Sequence, residues 1–174
     1  MSTERNIVSF FTSRVKGILD EEAMSIATLS NYDCGMLEFQ KKHHLKREIA
    51  YLVLTLNDNV AFASQLTKET RFDIVDLVYY DHFQRDDKNE WVSSLVDRSI
   101  EYNNVLHSSS KKTPLRIASC FLRNLVGQNS FIVGFQNQNK IGNLFHNYFL
   151  GTMSDFKVFI TPSFHESKIT ERET

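Results

Sequence analysis

The chain has 174 residues, of which 41% are hydrophobic and 24% charged, and its formal net charge is −1 at pH 7. This balance is typical of a globular domain that is long enough to bury a core. The longest apolar run, 49–56, is far shorter than the roughly 18 to 20 residues that a membrane span needs, so a transmembrane helix is excluded. Only six glycines and two prolines interrupt the chain, which favours a few long helices over many short strands.

The cysteines and the first residues bear on the cellular compartment. Cys34 and Cys120 lie far apart and have no CxxC partner, so the sequence offers no thiolate zinc site. Glu4 and Arg5 precede a short apolar group that lacks the length of a cleavable signal sequence. Isolated cysteines in such a chain are most simply reduced and buried. We therefore expect a cytoplasmic protein without a cofactor or a metal.

The first two predicted helices follow from apolar residues at spacings of three and four. They run from about 4 to about 28, and from near Cys34 and Gly35 onward. The second contains "KKHHLKREIAYLVLTL", and its basic start and apolar continuation predict a helix that begins in solvent and ends in the core. A rival interpretation of 49–66 is a β-hairpin that turns at "NDN".

Two further helices are predicted in the acidic middle of the chain. Helical spacing indicates one over 70–84. Another begins after Asp87, which is the expected N-cap because Glu90 follows three residues later. The expected buried side of this second helix consists of Val92, Leu95, Val96 and Leu106.

The clearest helix signal covers residues 114–126. Thr113 is a capping residue, Pro114 occupies the first helical position, and Gly127 follows where a left-handed residue is favoured. After it, "SFIVGF" and "DFKVFI" are typical of short strands, and they bracket a predicted helix over 140–150.

The favoured fold is a mainly α single-domain bundle of five or six helices, to which a small C-terminal β element could be added. The alternative is an α+β fold in which 49–66 and the later strands share a sheet. The last dozen residues are polar and lack a core stripe. We therefore expect a globular domain over 1–162 and a flexible tail over 163–174.

Charge is unevenly distributed along the chain. Residues 69–101 contain nine acids and four bases, whereas 102–150 contain five bases and no acid. The second segment also has eight Asn, three Gln and seven aromatic residues, a composition compatible with nucleic-acid or phosphate contact. An acidic surface that meets a basic one, within a chain or between copies, would explain the same pattern.

One local conflict within this basic segment indicates an anion site. Lys111, Lys112 and Arg116 surround the predicted helix start at Pro114, where the helix dipole is positive and cations are disfavoured. A phosphate or sulfate held by free backbone amides would relieve that conflict. The candidate anion-binding residues are Lys111, Lys112, Thr113, Arg116 and Arg123. The alternative is an ordinary solvated loop.

Metal and nucleotide motifs are missing from the sequence. No His follows a Glu by three residues, and HExxH, GxGxxG and GxxxxGK[ST] are absent. His44 with Glu48, and Asp81 with His82, are pairs of a kind that occurs by chance. We therefore expect no metal site.

The default functional hypothesis is a non-enzymatic regulatory or adaptor protein that acts by protein–protein interaction, with a protein partner or a second copy and no membrane. The second hypothesis is nucleic-acid or phospholigand binding through 102–150. The third is an enzyme whose site is assembled from dispersed residues, for example Cys120 with His107 or His146. We expect no catalytic residue from motifs alone.

Overall fold

The computed structural model describes residues 2–32, 39–108 and 113–170, and helices account for most of them. The α-helices are α1 (Ser2–Gly17), α2 (Ala23–Leu29), α3 (Phe39–Ala63), α4 (Lys68–His82), α5 (Lys88–Leu106), α6 (Thr113–Val126) and α7 (Phe135–Thr170). A π-helical turn, Ile18–Glu22, joins α1 to α2 without a break, and a 3-10 segment, Gly127–Ile132, precedes α7. The predicted mainly α fold is confirmed.

Helix α3 is the centre of the bundle. It contacts α1, α2, α4, α5, α6 and α7, and every residue from Glu48 to Asn57 is buried, whereas Lys41 and Lys42 are exposed. The predicted helix that begins in solvent and ends in the core is therefore confirmed. Its predicted beginning near Cys34 and Gly35 lies outside the described residues.

The alternative β-hairpin over 49–66 is wrong. The residues proposed as its turn lie inside α3, where all three form hydrogen bonds with other helices. The Tyr148 hydroxyl donates to Asn57 Oδ1 at 3.0 Å, and Asp58 Oδ1 accepts from Arg71 Nε at 2.6 Å. A central helix accommodates polar residues when neighbouring helices supply their hydrogen-bond partners. These tertiary hydrogen bonds override the turn propensity of Asn and Asp.

The caps and ends of the other helices follow the sequence closely. The Asp87 side chain accepts from the Glu90 backbone amide at 2.9 Å, as the capping pattern predicts. Gly127 follows α6 with φ +62°, which is the left-handed conformation that glycine tolerates best. The predicted helix over 114–126 is thus confirmed.

The predicted strands after Gly127 are wrong, since neither segment forms a strand in the described part of the chain. "SFIVGF" covers the end of the 3-10 segment, the connecting residues Val133 and Gly134, and the first residue of α7, whereas "DFKVFI" lies within α7. The buried residues Ile141, Phe145, Thr152 and Phe156 form one helical stripe. Within "DFKVFI", Phe156 is fully buried in the core, whereas Val158 is 71% exposed. α7 extends to Thr170, and the expected flexible tail over 163–174 stays a prediction.

Helix α5 buries most of the predicted face, since Val92 and Leu106 are partly buried against the core. Leu95 is buried as expected, but Trp91 and Tyr102 are the large core residues, and Val96 is 52% exposed. Because one residue along a helix corresponds to 100° of rotation, burial of 91, 95 and 102 turns residue 96 away from the core. This exposed valine lines a surface groove between α4 and α5.

Candidate functional site: a groove between α4 and α5

Helices α4 and α5 meet at an aromatic junction over α3. The Trp91 ring lies 5.5 Å from Tyr79 and 5.5 Å from Phe83, centroid to centroid, and 5.4 Å from Tyr51 of α3. The Tyr79 hydroxyl donates to the Asp86 carbonyl oxygen at 2.6 Å. Aromatic packing and this hydrogen bond therefore fix the end at which the two helices join.

Beyond the junction the two helices pack on different neighbours, and a groove of about 340 Å³ opens between them. α4 packs chiefly on α1, whereas α5 packs on α3 and α6. The floor contains Leu54 of α3 and Leu95 of α5, both buried. We refer to this feature as the α4–α5 groove.

The walls of the α4–α5 groove are largely apolar and remain accessible. Phe72 and Val75 line the α4 side, and Val96 lines the α5 side together with Ser99. Phe72 is 58% exposed. Ile100, one turn after Val96, is also exposed. Contiguous exposed apolar surface of this kind is uncommon on a monomer and is typical of interaction sites.

A charged pair closes one part of the groove. Arg71 donates to both carboxylate oxygens of Asp58, from Nε at 2.6 Å and from Nη2 at 2.8 Å. The hydrogen bonds to Asp58 raise the pKa of Arg71. The same guanidinium lies 5.3 Å from the ring centroid of the exposed Phe62, which is a cation–π contact.

The remaining charges near the groove are less constrained. The Lys68 ammonium lies 5.4 Å from the Phe72 ring centroid. Asp76 pairs with Lys88 at 3.0 Å. Glu69 and Asp97 are exposed, and neither forms an ion pair with a residue that the structure describes. Of the charged side chains that line the groove, Asp58 and Arg71 pair with each other, and Lys68 contacts an aromatic ring.

A second polar cluster joins α3, α5 and α6 away from the groove. Glu48 is almost fully buried, and its Oε2 accepts from Arg98 Nε at 3.1 Å. Arg98 also approaches Glu101, which accepts from Asn124 at 3.0 Å. Burial raises the pKa of Glu48 more than Arg98 lowers it. The sequence pointed to Glu48 only as a partner of His44, and no local pattern indicates an ion pair fifty residues apart.

Cys120 belongs to the same cluster, and its surroundings do not activate it. Burial raises the pKa of its thiol to about 11, so the protonated form dominates at neutral pH. Its sulfur lies 3.9 Å from Glu101 Oε2, 3.7 Å from Arg123 Nη2 and 3.9 Å from Asn124 Nδ2. These polar contacts are with neither His107 nor His146, the partners that an enzyme hypothesis would use.

The histidine and acid pairs noted in the sequence have other neighbours. Glu48 is occupied by Arg98, and burial together with nearby Arg47 lowers the pKa of His44. Burial also lowers the pKa of His82 despite nearby Asp20 and Asp81. Over residues 2–32, 39–108 and 113–170, no three His, Cys, Asp or Glu side chains converge as metal ligands.

Only three of the five residues of the predicted anion site are among those that the structure describes. Lys111 and Lys112 lie outside the described residues, whereas Thr113 begins α6 as expected. Arg116 Nη1 donates to the Ser108 hydroxyl at 2.7 Å. Arg123 lies roughly 10 Å further along the helix and pairs with Glu101 at 3.4 Å. The structure thus places Arg123 with an acid rather than beside Arg116, and the anion site stays a prediction.

None of the described helices is both long enough and apolar enough to cross a bilayer. No protein-family model, curated protein or solved structure matches the chain.

Proposed function

We propose that this protein is a non-enzymatic regulatory or adaptor protein of the cytoplasm that binds a helical segment of another protein in the α4–α5 groove. The observation that carries the proposal is the exposure of Phe72 and Val96 on opposite walls above a floor of buried leucines. Large apolar anchors that fill such a depression supply most of the binding energy at protein interfaces.

A helix is the partner element that best fits this geometry. The groove is bounded by two helices over a third, and no backbone edge in it offers the hydrogen bonds that an added strand would need. A partner helix would present apolar side chains at spacings of three and four to the floor. A volume of about 340 Å³ suits a small number of such anchors.

The other two hypotheses have less support from the side-chain geometry. For nucleic-acid or phospholigand binding through 102–150, Arg116 and Arg123 are already engaged by Ser108 and Glu101. For a cysteine-dependent enzyme, burial keeps the Cys120 thiol protonated. A cytoplasmic location is compatible with this free, buried thiol.

The test compares three forms of the full chain: wild type, a groove variant with Phe72→Ser and Val96→Ser, and a control variant with Val158→Ser. All three replaced side chains are exposed, so circular dichroism and thermal midpoints should remain close to wild type. A protein recovered with wild type is then purified, and its dissociation constant for each form is measured by calorimetry.

We expect the groove variant to weaken binding by about tenfold or more, since two apolar anchor sites become polar. The Val158→Ser control should bind as wild type does. Equal affinity for all three folded forms would overturn the proposal, and so would self-association of wild type that the groove variant abolishes. In that second case the occupant is another copy of this chain.

A further inference from the structure

We infer that the protein binds one or two ordered water molecules in its interior, where they bridge Arg47 of α3, Asp86 of the α4–α5 connection and Trp91 of α5. This water site lies at the aromatic junction that holds α4 and α5 on α3, and it does not depend on any partner in the α4–α5 groove. Buried polar atoms that have no hydrogen-bond partner in the described part of the chain carry the inference.

Three polar side chains lie along the side of α3 that meets the α4–α5 connection and α5. His43, Arg47 and Tyr51 are spaced four residues apart, so they follow one another on one side of the helix. His43 Nε2 is 2.8 Å from Asp86 Oδ1, which is a hydrogen-bond distance. Arg47 Nη1 is 3.9 Å from Asp86 Oδ2, which is too long for one. Asp86 therefore has one carboxylate oxygen that bonds to α3 and another that only faces a cation.

Unpartnered polar atoms are concentrated at this junction. Six buried side-chain nitrogen and oxygen atoms in the described part of the chain have no hydrogen-bond partner, and four of them are Arg47 Nε, the Tyr51 hydroxyl, Asp86 Oδ2 and Trp91 Nε1. Such atoms are rare in folded proteins, because each has lost the hydrogen bonds that it makes with water in the unfolded chain. Their concentration in one place points to a polar partner that they share.

The four side chains are close to one another. The ring centroids of Tyr51 and Trp91 are 5.4 Å apart. Burial raises the pKa of Tyr51 to about 12, the charge of Arg47 opposes that rise and the charge of Asp86 adds to it, so both charges lie near the Tyr51 hydroxyl. Ser94 is also near this hydroxyl, but no hydrogen bond joins them. The Tyr51 hydroxyl therefore keeps its proton and is free to bond to a water.

Water has the hydrogen-bonding character that these four atoms require. Arg47 Nε and Trp91 Nε1 only donate, Asp86 Oδ2 only accepts, and the Tyr51 hydroxyl does either. A water molecule accepts two hydrogen bonds and donates two, and internal waters typically make about three bonds to buried polar groups. An anion would be repelled by Asp86 and a cation by Arg47. Water is therefore the occupant that suits both charged groups.

The bound water extends a network that already positions the α4–α5 connection. The Asp86 carbonyl oxygen accepts from the Tyr79 hydroxyl at 2.6 Å, and the Asp86 amide donates to the Phe83 carbonyl oxygen at 2.9 Å. A buried polar network makes packed elements rigid when all of its members are satisfied. With water in place, the Asp86 side chain connects α3 to α5 as well as to α4.

Trp91 offers a specific probe of the water because it is the single tryptophan of the chain. In the full chain labelled with ¹⁵N, NOE and ROE spectra record magnetisation transfer between the indole Nε1 proton and water. A bound water gives a cross-peak of opposite sign in the two spectra, whereas proton exchange gives the same sign in both. We expect opposite signs. Equal signs, or no cross-peak at all, would overturn the inference.

Tyr51→Phe provides the control for indirect transfer. The Tyr51 hydroxyl exchanges its proton with water and could relay the signal to the nearby Trp91 indole. Phenylalanine removes this hydroxyl and keeps the ring, and Arg47, Asp86 and Trp91 can still hold the water. We expect the cross-peak to persist in the variant. Its loss, while the thermal midpoint stays close to that of wild type, would show that the signal came from the hydroxyl and would overturn the inference.

A crystal structure of wild type that shows ordered solvent tests the position of the water. We expect a water oxygen within about 3.2 Å of both Arg47 Nε and Asp86 Oδ2. A guanidinium that bonds directly to Asp86 Oδ2, with no solvent between them, would overturn the inference. A halide in the same place would also overturn it, and crystals grown in bromide identify this case because bromide gives an anomalous signal and water does not.

Discussion

The carbonyl oxygen of Pro114 lies where a side chain on Gly142 would have to stand. A Cβ at position 142 would overlap that oxygen, and so the first turn of α6 can approach the α7 backbone only because residue 142 is glycine. α6 and α7 form the most extensive helix pair among the described residues. A single missing methyl group therefore permits this close approach.

We expect Gly142→Ala to lower the free energy of unfolding by about 1 to 3 kcal/mol, because backbone atoms must move apart to admit the Cβ. Gly17→Ala is the matched control. Its Cβ would meet no atom within 4 Å, and alanine within a helix is favoured over glycine by roughly 0.5 to 1 kcal/mol. Urea denaturation of both variants measures the difference, and equal effects on stability would contradict the close approach.

Leu52 and Leu122 provide a test of the core. Both are fully buried, the first on α3 and the second on α6. Replacing either with alanine should lower the free energy of unfolding by about 2 to 5 kcal/mol, since apolar burial is lost and a cavity remains. Val158→Ala, at a largely exposed site, should change stability by less than about 0.5 kcal/mol. A loss that small at Leu52 or Leu122 would mean that the core lies elsewhere.

Much of this fold could be predicted from local signals. Asp87 and Gly127 mark helix ends through their own backbone chemistry, and the apolar stripes of α3 and α6 give the faces that they bury. The error after Gly127 arose because "DFKVFI" is rich in strand-forming residues. Packing of Phe156 against Phe10 and Phe11 instead continues the stripe of α7, and tertiary contact overrides strand propensity.

The candidate site could not be predicted in the same way. Exposure of Val96 depends on which face of α5 packs on α3, and the sequence permits two adjacent faces that differ by one residue. The groove exists because α4 packs on α1 rather than along α5, which is a long-range choice that no short motif encodes. The ion pair between Glu48 and Arg98 is likewise a product of the folded helix arrangement.

Cys120 should react slowly with alkylating agents in the native protein. Burial raises the pKa of its thiol to about 11, so the reactive thiolate is scarce near neutral pH. Iodoacetamide labelling at pH 7.5, followed by peptide mass spectrometry, should modify Cys120 much more slowly in buffer than in concentrated urea. Native labelling as fast as in urea would show an accessible thiolate and would revive the cysteine-dependent enzyme hypothesis.

Glu48 should make the stability of the protein depend on pH in a direction that its burial sets. Desolvation raises the pKa of Glu48 above its ordinary value of 4.5, although Arg98 opposes that rise. The folded state therefore binds a proton at this site more tightly than the unfolded state does. By linkage, the contribution of Glu48 to stability falls as pH rises from the unfolded pKa through the folded pKa.

Glu48→Gln removes this titration while it keeps the shape of the side chain. We expect wild type and the glutamine variant to be closest in stability near pH 4, and wild type to lose stability relative to the variant as pH rises toward 7. Urea denaturation at several pH values measures the gap, in which the titration of all other groups largely cancels. A gap that changes in the opposite direction would mean that the ion pair with Arg98 outweighs desolvation.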